Sequence, residues 1–194
     1  FYFLQRKNLF SEPAQFYMYK REFLLKKELY FLEGIRHEDN EFTPRAILLA
    51  DSVAYFDIPF YVYRKRENSI TSTVDAKRPI DLLEIINSLD RFKRQLHNPM
   101  ALEALAIYGT RFIRKILYYH ALLNNKKYDT RGIKHKVVHS PFFKESVRRC
   151  SVLFLRLEGW LILHGYDLAL LFYQLYILIR DQYVRFKGCC YRKK

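Results

Sequence analysis

Cysteine is almost absent from this chain: Cys150, Cys189 and Cys190 are the only three in 194 residues. An odd count with an adjacent pair argues against a disulfide framework, and the spacing fits no zinc motif. A reduced, cytoplasmic setting is therefore expected. Glycine and proline are scarce as well, six of each, while half the residues are hydrophobic. Such a composition is not that of a disordered chain. A membrane-spanning helix needs a run of ~20 apolar residues. The most apolar stretch, residues 151–186, is interrupted by Arg156, Glu158, His164, Asp167 and Gln174. The opening Phe1-Tyr2-Phe3 has neither an initiator methionine nor a signal-peptide pattern, so the chain reads as cut from a longer protein. No internal repeat is visible.

What the chain has in excess is positive charge, with a formal net of +14. Its distribution matters more than its total. Residues 1–74 hold 11 Lys+Arg against 10 Asp+Glu (+1), and residues 75–194 hold 23 against 10 (+13). A basic, aromatic surface of this kind attracts anionic lipid, nucleic acid or acidic glycans.

Residues 1–74 read as short strands mixed with helices. FYMY at 16–19 has the pattern of a buried strand, and REFLLKKEL after it is helix-like. An acidic cluster, EGIRHEDNEF at 33–42, precedes AILLA, with Phe42, Ala46 and Leu49 on one side of a helix. Two starts fit that helix: Thr43 as N-cap with Pro44 at N1, or Glu38-Asp39 with Pro44 tolerated near the first turn. In both, the acids lie near the positive end of the helix dipole, which favours their ionised form. VAYF at 53–56 and PFYVY at 59–63 predict two short strands, with Pro59 at an edge or first position. Tyr61 and Tyr63 alternate on the second, which puts at least one in the core. RKRENSITST at 64–73 suits a mobile loop.

From Pro79 onward the pattern is helical. Ile80, Leu83, Ile86 and Leu89 recur at steps of three, predicting an amphipathic helix, and residues 101–123 predict another. Residues 124–141 read as a basic linker. Residues 151–186 read as an apolar helical stretch with a break at Gly165.

Several pieces combine into one pattern: YKREFL at 19–24, Phe31 with Glu33-Gly34, His37-Glu38-Asp39, and YVYRKRENSIT at 61–71. Their order and spacing resemble the C-terminal half of the catalytic domain of family 2 glycosyltransferases, the bacterial surface-polysaccharide kind. The likeness covers residues 16–72. It implies an α/β fold class: residues 1–74 as the acceptor-side part of a GT-A domain with short strands, followed by a mostly helical, basic extension over 75–194. It gives Asp39 the role of catalytic base and Glu38 that of orienting a neighbour or the acceptor hydroxyl. Arg64, Arg66 and Ser69 become contacts to the donor's diphosphate, Arg66 and Ser69 foremost.

The chemistry implied is coherent. Inverting transfer needs one ionised carboxylate to take the acceptor hydroxyl's proton. The diphosphate leaving group is stabilised by a divalent metal and cationic side chains, so no second acid is required. Glycoside hydrolysis, by contrast, normally uses a carboxylate pair. The family's metal-binding Asp-x-Asp lies upstream of the matched pattern. No Asp-x-Asp occurs in the 194 residues, Asp39-Asn40-Glu41 being a near miss. The resemblance thus implies a fragment that holds no metal and is inactive alone. The intact enzyme, with Mg²⁺ or Mn²⁺, would move a sugar from a nucleotide-sugar donor to a cell-surface glycan or lipid-linked acceptor.

Plainer readings stand beside these. Glu38 and Asp39 also fit helix-start acids, and His37 fits a turn or packing residue. The run 64–66 fits solvated charge, although arginines suit phosphate oxygens bidentately. His135 and His139, four apart, have a helical metal spacing but no third ligand nearby. Trp160 reads as a core or interface anchor. The basic extension fits either an interfacial anchor on an anionic membrane or a block that packs on the catalytic part. In the first case the protein is peripheral on the membrane's inner face. The rival class is a non-enzymatic basic helical module for membrane or nucleic acid. Nucleic acid is disfavoured, because no recognised binding signature appears.

Overall fold

The computed structural model describes residues 1–8, 10–62, 64, 77–123 and 131–191. Among them nine stretches are α-helical: α1 (Tyr2–Lys7), α2 (Arg21–Lys26), α3 (Asp39–Leu49), α4 (Lys77–Lys93), α5 (Pro99–Leu122), α6 (Arg131–His139), α7 (Pro141–Arg149), α8 (Leu153–His164) and α9 (Tyr166–Tyr191). A single 3-10 turn, Ala14–Phe16, lies between α1 and α2.

Helix α5 is the axis of the arrangement. The Asn98 side chain accepts the Met100 N–H at 2.8 Å, and Pro99 takes the first position, where a missing N–H costs no helical bond. Leu105, Tyr108, Phe112, Ile113, Ile116 and Leu117 are buried along its length. Helices α1, α4, α7, α8 and α9 all pack against it. Two glycines let helices approach closely at its middle. A Cβ on Gly109 would lie 2.5 Å from Ser146 Oγ and 2.7 Å from Phe142 Cε1 on α7. One on Gly159 would lie 2.7 Å from Val147 Cγ2 and 2.9 Å from Thr110 Cγ2.

Helix α4 buries Leu82, Leu83, Ile85, Ile86, Leu89 and Phe92. Ile80, expected on that face, is 51% exposed. The buried stripe instead begins at Arg78, which is 1% exposed. Buried His120 on α5 and Tyr166 on α9 are joined by a 2.7 Å hydrogen bond between Nδ1 and the hydroxyl.

The α/β expectation is overturned. The chain is 71% helical, and no strand or sheet occurs among the described residues. Residues 53–56 and 59–62 lie in a non-helical, exposed run that pairs with no other segment among the described residues. A strand is stable only where a neighbour completes its hydrogen-bond ladder, and β-propensity without one decides nothing. Tyr61 is accordingly exposed rather than core, with a T-shaped contact to Phe16 at 5.6 Å; Tyr63 lies outside the described residues. Residues 16–19 are not a buried strand either: Phe16 ends the 3-10 turn and Met18 is 81% exposed.

The linker expectation for 124–141 fails in its second half. Residues 124–130 lie outside the description, but α6 is helical and buries Ile133 and Val137. These two apolar residues at spacing i, i+4 dock the helix in spite of its basic remainder. The break at Gly165 is present, with α8 and α9 meeting there at 112°.

Candidate functional site

The acidic cluster of residues 33–42 sits where α3, α4 and α5 meet. Helix α3 takes the earlier of the two starts, with Glu38 preceding Asp39 at the first position. Pro44 is consequently the sixth residue of the helix, where it has no N–H to give the Asn40 carbonyl. The buried Tyr108 hydroxyl of α5 donates to that carbonyl instead, at 2.9 Å. Thr43, the alternative cap, donates its hydroxyl to the Glu12 carbonyl at 2.7 Å.

Asn40 is buried and uses every side-chain heteroatom. Its Nδ2 donates to Asp39 Oδ1 at 2.6 Å, and its Oδ1 accepts the Lys115 ammonium of α5. Asp39 is half-buried, and its Oδ2 makes no hydrogen bond among the described residues. One carboxylate oxygen is therefore pinned by its neighbour. Burial lowers the Lys115 ammonium's pKa, opposed by the charges of Glu12 and Asp39.

The approach to α3 is a tight turn. Gly34 and His37 both have left-handed backbones, with φ of 77° and 61°. For histidine that conformation carries strain on the order of 1 kcal/mol. The turn is held to α4 by Asp81, whose carboxylate accepts the Arg36 N–H at 3.2 Å and the Lys77 ammonium at 2.9 Å. Lys77 also donates to the Gly34 carbonyl at 2.8 Å.

The His37 ring stacks on Tyr119 at 6.2 Å, and the Arg78 guanidinium lies 4.8 Å from the centre of that same ring. Burial first, then the nearby Lys115 and Arg78 charges, push the His37 pKa down to about 4. The imidazole is neutral at pH 7, and its buried Nε2 has no partner among the described residues. Glu41, also buried, accepts the Ser88 hydroxyl at 2.7 Å and the Arg45 guanidinium at 2.7 Å.

Of the five expected site residues, Glu38, Asp39 and Arg64 are among the described residues. Asp39 is half-buried beside Asn40, but Glu38 next to it is exposed and makes no cap hydrogen bond. Arg64 is exposed and touches neither acid. Arg66 and Ser69 lie outside the described residues. No group of three or more His, Cys, Asp and Glu among the described residues could hold a metal ion. His135 and His139 stack on each other at 4.3 Å.

The residues that reasoning from sequence missed are Asn40, Arg78, Asp81 and Lys115. A signal for Lys115 exists: Tyr108, Phe112, Lys115 and Tyr119 recur at helical spacing, which places a cation on a buried stripe. Arg78 leads the stripe of Leu82, Ile85, Leu89 and Phe92 in the same way. A half-buried carboxylate with one oxygen fixed can accept a proton on the other from a hydroxyl brought to it. The chain matches no family model, no curated protein and no solved structure at a significant level.

Proposed function

We propose that this chain is the acceptor-side segment of an inverting glycosyltransferase, in which Asp39 is the general base. The acceptor hydroxyl gives its proton to Asp39 Oδ2 while its oxygen attacks the anomeric carbon of a nucleotide sugar. The nucleoside diphosphate leaves with the bonding electrons. Arg64, Arg66 and Ser69 are the candidates for contact with that diphosphate. The acceptor is a cell-surface glycan or a lipid-linked precursor. The nucleotide-binding half and its divalent metal belong to upstream sequence.

The observation that carries the reading is the held geometry of Asp39. Its Oδ1 is fixed at 2.6 Å by Asn40, while Oδ2 has no hydrogen-bond partner among the described residues. Asn40 is in turn anchored by Lys115 and Tyr108 of α5. A carboxylate serving only to start a helix needs no such second layer, whereas a base benefits from being fixed within hydrogen-bond reach of its substrate.

The test is Asp39→Asn in the full-length protein, followed by transfer of radiolabelled sugar from nucleotide donor to lipid-linked acceptor. Loss of the general base is expected to lower kcat by about 10²–10⁴-fold, with donor affinity and melting temperature unchanged. Retention of activity within a few-fold would overturn the reading. The 194 residues alone are expected to show no tight donor binding by calorimetry. Micromolar affinity there would contradict the assignment of the donor site to upstream sequence.

A further inference from the structure

Helices α8 and α9 are apolar on two faces. The inner face is accounted for: Leu155, Gly159, Ile162, Leu163, Tyr166 and Ile177 are buried, and both helices pack on α5. The outer face is not. Leu153, Phe154, Leu157, Trp160 and Leu161 recur at helical spacing on α8, and every one is more than half exposed. Helix α9 repeats the pattern with Leu168, Leu171, Phe172, Tyr176, Ile179 and Tyr183. A water-facing helix carries its polar residues there, so a helix apolar on both sides has a second apolar neighbour.

Cations border this face. A cleft of about 660 Å³ opens between α7 and α8, floored by Val147, Leu157, Trp160 and Leu163 and edged by Lys144, Arg148 and Arg156. These three are exposed and make no ion pair among the described residues. The nearby acids are taken within the chain: Glu145 by Lys93 and Arg149, Glu158 by Arg114, Asp167 by Lys134, and Asp181 by Arg180. The face therefore offers apolar side chains and unmatched positive charge, and each nearby acid among the described residues is paired.

We infer that the outer face of α8 and α9 docks on an anionic lipid bilayer, with Lys144, Arg148 and Arg156 receiving phosphate headgroups around the α7–α8 cleft. Apolar residues enter the acyl boundary while basic residues stay at headgroup level, which is how interfacial helices bind. Tryptophan favours that boundary, its ring being apolar and its N–H polar. Among the described residues no single helix is long and apolar enough to cross a membrane. α8 and α9 together pass on length and composition, but their 112° bend at Gly165 suits lying on a surface better than threading through it. A second copy of the chain is the poorer occupant. A two-fold contact would bring another set of the same cations to a face whose described acids are already paired. The inference stands on α7–α9 and does not depend on Asp39.

Trp160 is the only tryptophan, half exposed beside the cleft, so its fluorescence reports this face and no other. The full chain is mixed with phosphatidylcholine vesicles, with and without phosphatidylglycerol. Flotation with the phosphatidylglycerol vesicles alone is expected, with a blue shift of Trp160 emission and quenching by brominated lipid. Binding is expected to fall steeply with added salt. Arg148→Glu with Arg156→Glu, both on exposed positions, is expected to weaken it by about tenfold or more. Four outcomes would overturn the inference: no flotation at low salt, equal flotation on neutral vesicles, flotation with unchanged Trp160 emission, or no loss in the double variant. Sedimentation as a dimer with Trp160 already blue-shifted in the absence of lipid would assign the face to a second copy instead.

Discussion

His37 carries an unusual set of constraints for one side chain: a left-handed backbone, a stacked ring and two cations nearby. Its pKa is held at about 4 by burial and by Lys115 and Arg78, against an ordinary value of about 6.5 in the unfolded chain. Between those two values the unfolded state binds the extra proton. Stability therefore falls as pH drops through that window, and the neutral ring's full contribution is present only above it. Unfolding midpoints measured from pH 7 to pH 4 are expected to decline less steeply in His37→Asn than in the parent. Asparagine tolerates positive φ and does not titrate. Equal slopes would show that His37 is not the titrating group. At this scale the sequence was only half legible. The gathering of acids before an apolar run pointed to a helix start, and Asp39 is at one. That Asn40 would orient it could not be read, because its anchors, Tyr108 and Lys115, lie 68 and 75 residues away.

Helix α3 shows why boundaries are harder to read than elements. Thr43-Pro44 is a good local start, and it loses to a start five residues earlier because a hydroxyl from α5 replaces the hydrogen bond that proline cannot make. Tyr108→Phe removes that donor and leaves the Asn40 carbonyl buried and unsatisfied, a loss of about 1–3 kcal/mol in urea unfolding. Pro44→Ala supplies a backbone N–H to the same carbonyl. The double variant is expected to recover part of the loss, a non-additive cycle between contacting sites. Simple additivity would mean that the tyrosine acts elsewhere. The expected strands at 53–56 and 59–63 failed for the opposite reason. Their β-branched and aromatic content was real, but sheet formation depends on a partner that residue content cannot supply. α6 was missed because three apolar residues among nine give a weak periodic signal, yet burying Ile133 and Val137 is enough to dock it.

Over the whole molecule, helical periodicity from residue 77 onward was the most legible property, and the packing around α5 the least. Nothing in the sequence says which helix will be central. Gly109 and Gly159 are the closest to a marker, since small residues inside otherwise apolar helices fit close approach. Gly109→Ala improves helix propensity by about 1 kcal/mol. Its Cβ, however, would meet Ser146 Oγ at 2.5 Å and the Phe142 ring at 2.7 Å, and such overpacking costs about 1–3 kcal/mol. The net expectation is a lower melting temperature by calorimetry. A rise would mean that α5 and α7 separate without loss.

The central position of α5 also has a temporal consequence. It is joined to α1 through Tyr2–Glu103 and Gln5–Arg111 contacts and to α9 through His120–Tyr166. An early helix and a late helix of this stretch thus share one scaffold that lies between them in sequence. A nascent chain can complete that scaffold's surroundings only after α9 has cleared the ribosomal exit tunnel, and until then the apolar flank of α5 is a natural client for chaperones.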